Sequence, residues 1–232
     1  YHGALLPDEK GGGAFTWKIL RQNLNGGLSI HKIIPELDEG PIVLEEIFTY
    51  PDSIKKPIEF ELYKDKFEKK ILNKFLNKIL LNELSISKHQ SKSNNYYWPL
   101  LHTEINGVIN WSWTGKEIKI FIDAFDDPYN GASTECKGKR IFIKDADFMK
   151  MDLKTHPFQN GLVLNKENKF LTICVKGGLL IIKKVIDIFG ESVIDTIKLG
   201  DRLYSTNESI EKSMVTRPIY SFYGIKKNVL LH

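Results

Sequence analysis

The feature that most limits the fold is a change of rhythm across the polar stretch "SISKHQSKSNN", residues 85–95. Before it, helical and strand patterns alternate. After it, short apolar runs follow one another between Gly and Asn turns. Helix-then-strand order with largely apolar strands fits a layered α/β sheet. Closely spaced short strands fit a small closed sheet. The two halves therefore call for different architectures, and 232 residues suffice for two small domains, at roughly 100–200 residues each.

In the first half, "AFTWKILRQN" puts Phe15, Ile19 and Leu20 on one helical face, and the "NGG" at Asn25–Gly27 stops the helix. "GLSIHKII" and "IVLEEIFTY" read as strands joined by the turn "PELDEGP". Pro57 can open a long helix at its first position. Within it, Phe67, Ile71, Phe75 and Ile79 recur every fourth residue beside Leu72, Leu76 and Leu80, which predicts one broad buried stripe. Beyond the break, a short helix in "TGKEIKIFIDAF" precedes strand-like runs "KRIFIKDADF", "GLVLN", "FLTICVKGG" and "LLIIKKVID". The expected organisation is a first domain at 1–88, a linker at 89–97, a second domain at 98–204 and a tail at 205–232 to which no structure is assigned.

Composition narrows the function class. Apolar residues make up 42% and charged ones 27%, ordinary values for a globular protein. No run approaches the roughly 18 apolar residues of a membrane span, so no membrane partner is expected. The net charge of +4 comes from lysines mixed with acids, as in "YKDKFEKK", which reads as solvated helix faces. Cys136 and Cys174 stand far apart with no CxxC spacing. A disulfide framework and a zinc site are both unexpected, and the cytoplasm is the default location.

The polar groups nearest strand ends are His2, Lys10, His31 and Asp38. Gly11, Gly12 and Gly13 match neither GxxxxGK[ST] nor GxGxxG. They suit either a close-packed turn or a loop that a ligand approaches closely. Asp38 can fix a turn through backbone contacts, and a strand-end histidine is commonly structural. A His–Asp pair that handles a proton is the functional alternative. No nucleophile motif or metal-ligand spacing accompanies it.

Taken in order, "HGALLP", "KGGGAF", "GLSIH" and "DEGPIV" resemble the second half of the catalytic domain of the 10-formyltetrahydrofolate-dependent formyltransferases. That family includes methionyl-tRNA formyltransferases and sugar-nucleotide N-formyltransferases. "GVINWSWTGKEIKIFIDAFDDPYNGAST" is similar to the family's second domain, and "IKLGDRL" to the segment closing it. The likeness spans Tyr1 to Tyr204. It implies the C-terminal part of a Rossmann-like α/β domain followed by a small OB-like β-barrel.

The resemblance also implies a site. His2 and Asp38 take the positions of two members of the family's catalytic triad, whose Asn would fall just before Tyr1. A fragment of a longer protein is therefore expected, and the 232 residues alone are expected to be inactive or binding-only. The family's reaction moves a formyl group from 10-formyltetrahydrofolate to a primary amine, with no metal. Negative charge developing on the formyl oxygen is met by donors already aimed at it. His2 would be one donor, and Asp38 would orient it and help move the amine proton. Lys10, Gly11 and Gly12 would contact the substrate, and Leu37 and Asp38 the folate. Lys10 stands where relatives often carry Arg and offers a point charge without the bidentate fork. His31 matches the family pattern but is assigned a structural role. The expected acceptor is an amino-sugar nucleotide, because basic residues are not clustered as tRNA phosphates require. A tRNA acceptor is the alternative, and the oligomeric state is left open.

Overall fold

The computed structural model describes residues 1–90, 96–152, 154–167, 169–217, 219–221 and 224–226. Its contacts divide the chain into two units, Tyr1–Leu100 and Leu101–His232. Residues 91–95 of the expected linker, and 218, 222–223 and 227–232 of the expected tail, lie outside the described residues.

The first unit opens with a two-residue strand β1 (Lys10–Gly11) and helix α1 (Ala14–Leu20). Strands β2 (Asn25–His31) and β3 (Ile42–Thr49) follow, then helix α2 (Pro57–Leu80) and a short β4 (Tyr97–Trp98). β2 and β3 pair antiparallel from Asn25↔Thr49 to His31↔Ile42. The turn expected at "PELDEGP" is the hairpin connection of this pair, which contains no crossover helix. Parallel pairing occurs between β1 and β4, at Lys10↔Tyr97 and Gly11↔Trp98.

Helix α2 begins at Pro57, whose missing N–H is no loss in a first turn. The Glu59 carboxylate accepts the main-chain N–H groups of Lys55 (2.7 Å) and Lys56 (2.9 Å) at that end. The helix lies on the β2–β3 hairpin through an aromatic cluster. Phe48 stacks on Phe67 with centroids 4.1 Å apart, and Tyr50 meets Phe60 at 4.5 Å. Beside it, Glu46 of β3 receives Lys70 (2.5 Å) and Lys74 (2.7 Å), which hold its carboxyl below the usual range.

The stripe expected on α2 is buried only in part. Of its members Ile71 is buried and Phe67 and Phe75 are half-buried, while Leu72, Leu76, Ile79 and Leu80 are exposed. Length accounts for this. Twenty-four helical residues reach about 36 Å, and strands of seven or eight reach roughly 25 Å. The helix outruns the sheet beneath it.

The second unit starts with α3 (Thr103–Asn106) and α4 (Gly115–Ala124). Strands β5 (Ala132–Cys136), β6 (Lys139–Lys150), β7 (Val163–Glu167), β8 (Phe170–Val175), β9 (Gly178–Ile186) and β10 (Leu203–Tyr204) follow. They form one antiparallel sheet in the order β10-β5-β6-β9-β8-β7. The sheet curves into a C-terminal half-barrel whose edges touch at a single bridge between Leu162 and Arg202. Ile143, Leu171, Ile173, Leu180 and Ile182 are fully buried in its core, with Ile118 and Ile122 of α4. Gly115 permits the approach of α4, since a Cβ there would lie 2.4 Å from the Phe148 ring. Helix α5 (Asn207–Val215) and two short strands, β11 (Ile219–Ser221) and β12 (Gly224–Lys226), occupy the described part of the tail.

Candidate active site

His2 is anchored by its main chain before its ring does anything. Its N–H donates to Ser29 O (2.7 Å) and its carbonyl accepts Ser29 N–H (3.0 Å), tying the first residues to β2. The Ser29 side chain, fully buried, extends the clamp: Oγ donates to Ala4 O (2.9 Å) and accepts Leu6 N–H (3.2 Å). The His2 Nε2 lies 2.8 Å from Glu9 O. A carbonyl only accepts, so Nε2 carries the hydrogen and Nδ1 is the basic nitrogen of the neutral ring.

That Nδ1 faces the Asp38 carboxylate, 3.7 Å from Oδ1. Asp38 sits in the β2–β3 connection at φ 54°, a left-handed conformation that Asp tolerates better than most residues. Gln90 fixes this turn by donating from Nε2 to Asp38 O (2.9 Å) and Gly40 O (2.7 Å). Three groups converge on the carboxylate: His2 Nδ1, His31 Nε2 at 3.8 Å, and the Gly11 N–H, which donates to Oδ2 at 3.1 Å. The His31 Nδ1 is 3.1 Å from Lys32 O, and burial lowers the pKa of this ring. With His2 neutral, a bare nitrogen faces a carboxylate; a proton on Nδ1 converts repulsion into attraction.

The other expected site residues divide. Lys10 is buried and its Nζ lies 3.3 Å from Glu39 Oε1, next to Asp38. Gly11 has φ 93° and a Cβ there would fall 2.3 Å from Trp98 O. The Gly12 N–H donates to the same carbonyl at 2.9 Å, and a Cβ on Gly12 would meet Leu100 at 2.8 Å. Both glycines serve a close approach by residues 97–100. Leu37 is 63% exposed, with Ile33 and Ile34 also exposed in the same loop. Gly13 caps α1, whose first residue is Ala14.

Sequence reasoning passed over Glu9 and Lys18. The Glu9 carbonyl holds His2, and its carboxylate pairs with the buried Lys18 Nζ at 2.5 Å. Lys18 also donates to Asn25 O at 2.5 Å, and burial lowers its pKa against the pull of Glu9. The available signal was a lysine inside the apolar face of "AFTWKILRQN". Among the described residues, no group of three His, Cys, Asp or Glu side chains is placed to hold a metal ion.

Residues 103–188 match the family model described as formyl transferase, C-terminal domain. Over this segment the chain is similar to the formyltransferase family. It is 25% identical to the bifunctional polymyxin resistance protein ArnA of Wigglesworthia glossinidia brevipalpis, over 99% of this chain and 33% of that protein. It is 26% identical to the methionyl-tRNA formyltransferase of Borrelia duttonii, over 84% of this chain and 62% of that one. The chain thus spans a third of one relative's length and three fifths of the other's. Among solved structures it resembles the N-formyltransferase from Helicobacter canadensis in complex with folinic acid and dTDP-3-aminofucose. That likeness has a TM-score of 0.57 at 19% identity and covers 78% of this chain and 64% of that one. It concerns the fold.

Proposed function

We propose that this chain carries part of an N-formyl transfer site that uses 10-formyltetrahydrofolate and a primary amine of an amino-sugar nucleotide. The observation that carries the reading is the convergence of His2, His31 and the Gly11 N–H on the Asp38 carboxylate. The exposed apolar side chains Ile33, Ile34 and Leu37, in the same loop as Asp38, suit contact with the faces of a folate's flat rings. When bound, the donor supplies a formyl carbon open to attack by an amine.

The chain's own residues do the rest. An ammonium cannot attack, so the acceptor must lose a proton. His2 Nδ1 takes it, and the Asp38 carboxylate stabilises the resulting imidazolium. The Glu9 carbonyl keeps the opposite nitrogen protonated, so the ring presents one basic site. The imidazolium then places positive charge where the formyl oxygen gains negative charge; as the new C–N bond forms and the C–N10 bond breaks, the amine's second proton passes to N10 and tetrahydrofolate leaves. Leu37 and its apolar neighbours exclude water from one side. Lys10, buried and paired with the half-exposed Glu39, sets the charge at the edge of the site.

An amino-sugar acceptor is supported by the single basic residue of the glycine loop and its pairing with Glu39. A tRNA acceptor is the second reading, favoured by the 26% identity to a methionyl-tRNA formyltransferase. The test is an assay of the protein expressed from its gene with 10-formyltetrahydrofolate and either dTDP-3-aminofucose or methionyl-tRNA. We expect formylated sugar, and a loss of at least about 100-fold in kcat for Asp38→Asn. Product with methionyl-tRNA alone selects the second reading. Full activity in Asp38→Asn refutes the proposed chemistry.

A further inference from the structure

When neutral, the His2 ring has one hydrogen to give and an acceptor on each side. Glu9 O is 2.8 Å from Nε2, and Asp38 Oδ1 is 3.7 Å from Nδ1. The carboxylate is intrinsically the stronger of the two, since a hydrogen bond to an ionised group is roughly twice as strong as a neutral one. Strength alone would draw the hydrogen to Nδ1. The carbonyl keeps it on Nε2 by being closer. Whatever holds Glu9 O at that distance therefore decides which nitrogen is bare.

Both ends of this contact are anchored to the same strand. His2 is tied to β2 through Ser29, main chain to main chain in both directions. Glu9 reaches β2 through its side chain. The carboxylate pairs with Lys18 Nζ at 2.5 Å, and the same ammonium donates at 2.5 Å to the carbonyl of Asn25, the first residue of β2. Within its own turn, the Glu9 N–H donates to Leu5 O (3.0 Å) and the carboxylate accepts Leu5 N–H (3.4 Å). Lys18 thus links α1, residues 5–9 and β2.

Burial makes this link unusual. The Lys18 side chain is 2% exposed and that of Glu9 9%. A buried ion pair is a poor source of stability, because removing both charges from water can outweigh their attraction. An apolar pair of similar volume would serve the core as well. The best-attested use of such a pair is to fix one arrangement among several. Here the arrangement fixed is the seat of the Glu9 carbonyl.

We propose that Lys18 is a positioning residue: through the Glu9 carboxylate it holds Glu9 O against His2, keeping the neutral ring's hydrogen on Nε2 and Nδ1 bare. Its consequence for proton transfer rests on the formyl-transfer reading, whereas the place of the hydrogen does not. NMR of the protein expressed from its gene, with the histidine ring nitrogens isotope-labelled, reads each tautomer. His2 is assigned by the signal lost in His2→Gln. Spectra are taken above the histidine titration range, so that His31, whose ring centroid is 6.4 Å from that of His2, is neutral as well. We expect the Nε2–H form in the parent. In Lys18→Met the ratio of Nδ1–H to Nε2–H should rise about tenfold. The double variant Glu9→Gln, Lys18→Met should show the same rise, and it removes both charges together, so no carboxylate is stranded in the core. With the base blocked, kcat for formyl transfer should fall about tenfold and KM should stay within about twofold. A parent ring protonated on Nδ1, or a tautomer unchanged in the double variant, would overturn the proposal. A shifted tautomer with unchanged kcat would uphold it and refute instead the role of His2 as the base.

Discussion

Two side chains of the first unit carry their own tests. Tyr50 is 1% exposed, packed against Phe48 and Phe60, and its buried phenol oxygen has no partner among the described residues. Burial raises its pKa, so the group stays neutral. Removing an unsatisfied hydroxyl removes a desolvation cost. Tyr50→Phe should therefore raise stability by about 1 kcal/mol, read from the urea midpoint at constant slope. His31 gives a pH dependence. Burial lowers its pKa below 6.5, so the folded chain binds fewer protons than the unfolded one between the two values. The stabilisation is complete above 6.5 and is lost as pH falls towards the folded-state pKa. Denaturation at about pH 7.5 and about pH 5.5 should show this contribution in the parent and its absence in His31→Gln. An equal fall with pH in both would assign the dependence to other groups.

Among the elements, α2 separates what pattern reading captures from what it misses. The Pro57 start, the period of apolar residues and the two preceding strands were all readable, because each rests on local chemistry. The exposure of its last turns was not, because it depends on how far the hairpin beneath extends. The site divides likewise. His2 and Asp38 stand out within an ordered set of motifs. Glu9 and Ser29 hold His2 chiefly through main-chain contacts, which leave no mark on residue type. Gly11 and Gly12 were readable as a close approach, but the approaching segment, 97–100, lies far along the chain. The helix predicts a graded response. Ile71, fully buried, should cost about 3 kcal/mol as Ile71→Ala. Leu76, 54% exposed, should change stability by no more than about 0.5 kcal/mol as Leu76→Gln. A large loss from Leu76→Gln, measured by chemical denaturation, would mean that this face is covered in solution.

The whole chain divides its core as it divides its pattern. Phe48, Tyr50, Phe60 and Ile71 form the buried centre of the first unit, and Ile143, Leu171, Ile173 and Ile182 that of the second. The tryptophans divide as well. Trp17 and Trp98 belong to the first, their rings 5.2 Å apart; Trp111 and Trp113 belong to the second. A unit with its own core melts as its own cooperative step. Ile182→Ala empties space in the half-barrel and should cost that unit about 2–5 kcal/mol. In a chain carrying Trp111→Phe and Trp113→Phe, fluorescence reports only the first unit, while amide exchange at β8 and β9 reports the second. Ile182→Ala should then accelerate exchange in β8 and β9 and leave the fluorescence midpoint of the first unit in place. If both move together by the same free energy, the two cores fold as one cooperative block.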